Sequence, residues 1–238
     1  MVEIPGGLAL LGRKRHDGFG WDNEFEEHAV EVPAFAIDKH KTTNQEYLEF
    51  VRAGAGPPHF WRQDGNAWYY RTMFGEIPLP MAWPVYVTHE QAAAYATWRG
   101  MSLPTEAQFH RAAFGTPHNE DRSYPWGEEE PHAGRGNFDF AGWDPLPVDA
   151  TPEGDSAFGV SQPVGNGWEW TSTVFHPFAG FEPFSFYPGY SADFFDGAHY
   201  VTKGASARTA RTLLRRSFRN WFRPNYPYGY AGFRCVGH

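Results

Sequence analysis

The 238-residue chain holds a single cysteine, Cys235, which has no partner for an internal disulfide. Long apolar runs are missing too. No stretch approaches the roughly 18 consecutive apolar residues of a membrane span, and the opening MVEIPGGLALLG is broken by Pro5 and Gly6 where a signal peptide needs continuous apolar character. These absences predict a cytoplasmic protein with no membrane partner. Patterns that carry chemistry are equally scarce. The 11 histidines include no HxxxH, no HExxH and no His-x-Asp/Glu pair with a third ligand at hand, so a self-contained zinc or non-haem iron site has no local support. There is no GxSxG, and GRGNF and GNGWEW match neither a Walker loop nor a dinucleotide loop. Cys235, within the strand-like GFRCV, reads as a small buried hydrophobe.

Acidic residues are absent from the C-terminal end. From Lys203 onward there are eight Lys or Arg and no Asp or Glu; with a net charge of −8, the first 202 residues carry −8 − 8 = −16. Two readings of this basic tail stay open: the arginines pair with the acidic body or stack on aromatic rings, or they receive an anionic ligand. The net negative charge argues against nucleic acid, whose non-specific affinity rests on phosphate neutralisation.

Aromatic residues are abundant, at 18% of the chain with 10 Trp, and 26 Gly and 20 Pro imply many turns and few long elements. Three segments carry paired helix start and stop signals: Thr43 to Gly54, Thr88 to Gly100 and Thr105 to Gly115. Each opens on a threonine with Glu or Gln three residues later, the capping-box spacing, and closes on glycine. Short strands are predicted at His28 to Ile37, near Val201 and at Ala231 to Val236. The loop-rich stretch from Gly115 to Gly165 contains Tyr124, Trp126, Phe138, Phe140 and Trp143, enough aromatic anchors to predict an ordered loop packed on the body. With no repeat and no linker, the chain reads as one domain over residues 1–238. In GNGWEWT, Asn166 and Glu169, together with Asn137 and Asp139 of the preceding loop, either offer oxygen ligands to calcium or cap turns around a tryptophan core.

Read in order, WDNEFEEHAVEV, TTNQEYLEFV, LPTEAQFHRAA, YPWG, GNF, GNGWEWT and GFRC resemble the formylglycine-generating enzyme family, also called the sulfatase-modifying-factor domain, across nearly the whole chain. The resemblance implies an α+β, C-type-lectin-like fold with little regular structure. Formylglycine generation in that family relies on two cysteines, the site of copper binding, between an RGGS-like motif and GFRC. Here that region, KGASARTARTLLRRSFRNWFRPNYPYGYAGFRC, holds only Cys235, so that activity is not expected.

TSTVFHPFAGFEPF, FYPGYSADFFDGAHYVTKGAS and RRSFRNWF resemble instead the C-terminal domain of the ergothioneine-biosynthesis sulfoxide synthases. Those enzymes use iron(II) and oxygen to join a cysteine-type thiol to trimethylhistidine. The resemblance implies that Trp221 and Phe222 offer π-faces to the trimethylammonium, that Asn220 meets the substrate carboxylate, that Arg219 and Arg223 add long-range attraction, and that Tyr187 or Tyr190 donates a proton. Phe222 stands where some members carry an aspartate, which points to cysteine over γ-glutamylcysteine as the thiol. The family's iron ligands come from a DinB-like helical bundle that precedes this domain; the sequence opens directly on the domain, so the resemblance implies such a bundle either in trans, on another chain, or on a portion absent here. The alternative is a non-catalytic lectin-like module that binds a betaine or an amino acid.

Overall fold

The computed structural model describes residues 1–237. The three capping boxes form as the sequence predicts. Helix α1 spans Asn44–Arg52, α2 His89–Trp98 and α3 Glu106–Phe114, and in each the preceding threonine accepts from the N–H three residues on, while the Glu or Gln there reaches back to the threonine N–H. The glycines that end them do different work. Gly54 and Gly100 adopt φ of 109° and 69°, the left-handed conformation that stops a helix. Gly115 has φ −71°. A Cβ there would lie 2.6 Å from the Arg111 carbonyl oxygen, so glycine is needed for close approach and not for handedness.

Around the helices lie four small sheets. The predicted strand from His28 to Ile37 is cut at Pro33, which has no N–H to give a ladder. Its first part, His28–Val32, pairs antiparallel with Gly7–Leu11, whereas Phe35–Ile37 lies between Val2–Ile4 and Val236–Gly237 in another sheet. The predicted strand from Ala231 to Val236 splits in the same way: Ala231–Gly232 runs parallel to Gly167–Val174, and Val236–Gly237 joins the N-terminal sheet. Trp61–Asp64, Ala67–Arg71 and Glu76–Pro78 form a meander that the sequence reading did not find, although its first turn, Gly65-Asn66, has a hairpin composition.

The central sheet has the order Asn220–Phe222, Tyr200–Ala205, Gly167–Val174, Ala231–Gly232. One large core cluster packs α1, α2 and the meander against this sheet through Tyr47, Tyr95, Trp168, Trp170 and Phe233, all buried. A second, with Phe109 and Phe114 of α3, also takes in Phe138 of the long loop, while Tyr124 and Trp126 pack on it. Three of the five predicted anchors, Tyr124, Trp126 and Phe138, thus hold the loop on the core, while Phe140 and Trp143 are exposed. The result is an architecture that is loop-rich, as the composition implies, and α+β, as the family resemblance implies.

Candidate functional site

Strand Asn220–Phe222 is an edge strand, paired antiparallel so that Asn220 faces Thr202, Trp221 faces Val201 and Phe222 faces Tyr200. Successive side chains of a strand point to opposite faces, and this alternation divides the residues that the sequence groups together. Trp221 lies on Phe175, rings parallel at 4.3 Å, with Tyr190 meeting it edge-on at 5.6 Å and Phe194 tilted at 5.5 Å. Phe222 points the other way, towards Trp170 at 6.1 Å and stacked on Tyr226 at 5.2 Å. The expectation that Trp221 and Phe222 share one ammonium is therefore corrected; the rings beside Trp221 are Phe175, stacked on one face of the indole, and Tyr190 and Phe194.

Asn220 is half-buried. Its Oδ1 accepts from the Trp221 N–H at 2.9 Å, which leaves the Nδ2 donors without a partner among the described residues. Tyr190 stacks on Trp21 at 4.1 Å. Burial first, then the carboxylates of Glu24 and Asp22, push its phenol far above the usual range, so Tyr190 stays protonated at any ordinary pH. Tyr187 lies outside it, ring centroids 5.4 Å apart and half-exposed.

The turn Asp22–Glu24, together with Trp21, packs beside Tyr190 at this candidate site, and in the sequence it is marked only by belonging to a motif. All three residues of the turn are fully buried. The Glu24 carboxylate accepts from the Trp21 N–H at 2.8 Å, from Ser217 Oγ at 2.6 Å and from Arg215, whose Nε is 2.7 Å away. It thereby fastens Trp21 to the segment that leads into the Trp221 strand. Asp22 accepts from Ser191 Oγ, next to Tyr190. The signal for this site was two acidic residues in WDNE flanking an asparagine beside a tryptophan, a polar run with no reason to be buried unless paired.

Arg219 does not reach solvent. It is 2% exposed; its Nε lies 3.0 and 3.2 Å from the Glu106 oxygens, and its Nη1 donates to the carbonyls of Asn23 and His176. Burial alone would raise the Glu106 carboxyl, but Arg219 and Lys203 override it and hold the pKa below the usual carboxylate value. The expected role of Arg219 in attracting substrate is corrected: its charge is spent on Glu106. Arg223 is exposed, 3.6 Å from Asp196. The basic tail as a whole follows the pairing reading, with Arg215 on Glu24, Arg216 on Asp121 and Glu27, and Arg234 on Glu169.

The residues considered for calcium do not share an oxygen cage. Asn137 and Asn166 hydrogen-bond each other at 3.4 Å and both fix the Asp144–Leu146 backbone. Asp139 accepts from Arg211. Glu169 is bound by Arg234 at 2.6 and 2.8 Å and by Lys41 at 3.2 Å, and Lys41 also donates to the carbonyls of Gln162 and Gly165. Two carbonyls and a carboxylate around one buried cation are what a hard metal ion would take, and here the ammonium of Lys41 fills that place. Among the described residues, no group of three His, Cys, Asp or Glu side chains is arranged to hold a metal ion, so the residues present do not fit iron. The described residues also form no helix long and apolar enough to cross a membrane.

The aromatic cluster around Trp221, with the Asn220 amide and the Tyr190 phenol beside it, is a candidate binding site on a loop-rich α+β body, and that body has the sulfatase-modifying-factor fold. The chain belongs to the sulfatase-modifying factor enzyme 1-like domain family, which matches residues 1–238. It is 38% identical over 238 residues to hercynine oxygenase of Mycobacterium tuberculosis, covering 90% of this chain and 55% of that protein. To ergothioneine biosynthesis protein 1 of Schizosaccharomyces pombe it is 35% identical, over 92% of this chain and 27% of the relative. The chain thus spans about half the length of the bacterial relative and about a quarter of the fungal one. Among solved structures, PvdO from Pseudomonas aeruginosa superposes with a TM-score of 0.73 at 19% identity, over 98% of this chain and 92% of that one, a likeness of fold.

Proposed function

We propose that the chain is the substrate-binding domain of an oxygen-dependent sulfoxide synthase that joins the sulfur of a cysteine-type thiol to the imidazole of trimethylhistidine, that is, hercynine. The observation that carries this reading is the box of Trp221, Tyr190 and Phe194 beside the free amide of Asn220. A trimethylammonium has no N–H to give, so ring faces hold it better than hydrogen-bond acceptors do. The Asn220 Nδ2 donors would meet the carboxylate, and Tyr190, kept protonated, would donate the proton. Phe222 brings no charge to the strand, which favours cysteine over γ-glutamylcysteine. The names of the relatives support the substrate class. Iron(II) belongs to this chemistry, and its ligands would come from a helical bundle outside residues 1–237, on the same polypeptide or another.

Calorimetric titration tests the reading. Trimethylhistidine should bind the isolated chain, and Trp221→Leu, which keeps an apolar side chain but removes the ring, should weaken it roughly 2- to 30-fold. Unmethylated histidine, able to donate hydrogen bonds through its ammonium, should lose less. Equal losses for both ligands, or no binding to the folded wild-type chain, would overturn the ammonium box. Binding without oxygen uptake when an iron-loaded bundle protein is added would leave a betaine-binding module without chemistry.

A further inference from the structure

Between the meander and the long loop opens a cavity of about 240 Å³. None of its lining residues belongs to the Trp221 box. Its walls are the rings of Phe60, Tyr70, Tyr86, Trp143 and Tyr230. Two charges of opposite sign face it. The guanidinium of Arg208 lies 4.1 Å from the Tyr230 ring centroid and donates through Nη2 to the Trp143 carbonyl at 3.2 Å, but no carboxylate within ion-pair distance neutralises it. Its Nε is buried without a partner. Asp144 is half-buried, and its carboxylate makes neither an ion pair nor a side-chain hydrogen bond among the described residues. The two do not bridge each other, and the Tyr86 hydroxyl between the rings donates to the Asn166 carbonyl at 3.4 Å; burial raises that phenol's pKa most, while the charge of Arg208 lowers it and that of Asp144 raises it. Tyr230 is held at φ 49°, in the left-handed region that a bulky residue enters only under constraint, and such strain collects at ligand sites.

In a chain where nearly every other arginine of the basic tail has found a carboxylate, an uncompensated guanidinium and an uncompensated carboxylate lining one aromatic cavity are the complement of a zwitterion. The volume falls below the roughly 300–1,000 Å³ of sites for drug-sized ligands, which limits the occupant to about the size of an amino acid. We propose that this cavity is a second ligand site, for a free α-amino acid with an apolar or aromatic side chain: its carboxylate on Arg208, its ammonium on Asp144, its side chain among the rings. The proposal is independent of the function assigned to the Trp221 box.

Titration of the chain with L-phenylalanine, with its deaminated analogue 3-phenylpropionate and with its decarboxylated analogue phenethylamine tests it, with ligand-observed NMR to detect weak binding. Phenylalanine should bind most tightly. Asp144→Asn should weaken it roughly 10- to 100-fold while leaving 3-phenylpropionate unchanged, because one charge-assisted hydrogen bond is lost. Arg208→Gln should weaken phenylalanine similarly and leave phenethylamine unchanged. An unchanged melting temperature for both variants checks that they fold, and Trp221→Leu should not alter phenylalanine binding. Absence of phenylalanine binding at about 10 mM (a ligand level roughly tenfold above a millimolar Kd), equal affinity for all three compounds, or a parallel loss in Trp221→Leu would each overturn the assignment.

Discussion

Lys41 shows how one side chain can replace a ligand. Its ammonium is fully buried among the Gln162 and Gly165 carbonyls and the Glu169 carboxylate. Burial pulls its pKa down to about 8, with Glu169 opposing that fall. At neutral pH it remains charged and leaves no vacancy for a second cation. We therefore expect the melting temperature to be the same in excess chelator and in millimolar calcium. A shift larger than roughly 2 °C, equivalent to about 1 kcal/mol in a chain of this size, would show a calcium site elsewhere in the protein. Arg219 carries the same lesson for the tail: its position in RRSFRNWF suggested ligand attraction, and its guanidinium went to Glu106 because a buried carboxylate without a partner costs several kcal/mol.

Among the elements, the start of α2 has a titratable group built into its packing. His89 stacks on Tyr200 of the central sheet at 3.7 Å, and its Nε2 lies 3.1 Å from the Thr171 carbonyl oxygen. A carbonyl only accepts, so Nε2 carries the proton and donates. Burial lowers the imidazole pKa from 6.5 to about 4, against the opposing effect of that hydrogen bond. Because the folded pKa lies below the unfolded one, the unfolded chain binds the extra proton first, and stability falls as pH drops from about 6.5 towards 4. The loss from this group should reach roughly 2–3 kcal/mol by pH 4.5. Urea unfolding between pH 7 and 4.5 should show a shallower pH dependence in His89→Gln than in wild type. Parallel curves would mean that the histidine is protonated or exposed in the fold. The helices themselves were legible because a capping box is local, whereas two of the three predicted strands broke where the chain changed sheets, a choice that no local pattern encodes.

Over the whole molecule, two distant motifs close on one buried ion pair. Arg234 of GFRC meets Glu169 of GNGWEWT through both Nε and Nη2, and its other donors go to the carbonyls of Lys39 and Ser161. The pair links the C-terminal crossing segment to the central sheet and to the stretch before α1. Removing Arg234 leaves Glu169 fully buried with Lys41 alone, and breaking a buried pair from one side costs about 3–5 kcal/mol. Arg234→Met should show that loss in denaturant unfolding, and Arg234→Met combined with Glu169→Gln should recover part of it. A single variant as stable as wild type would mean that Lys41 alone satisfies the carboxylate.

The sequence by itself determined the α+β class, the three helices with their first turns, the order in the aromatic loop and the family, since these rest on local spacing, composition and ordered motifs. It also supplied Trp221, Asn220 and Tyr190 as candidates. Only the tertiary structure decided which of them meet. Strand alternation turned Phe222 away from Trp221, a buried glutamate claimed Arg219, a lysine took the place open to calcium, and the turn at Asp22–Glu24 came to lie beside Tyr190 from nearly 170 positions away. Each of these outcomes depends on which charges and rings share a buried volume, and burial is a property of the packed chain that neighbouring residues in sequence do not carry.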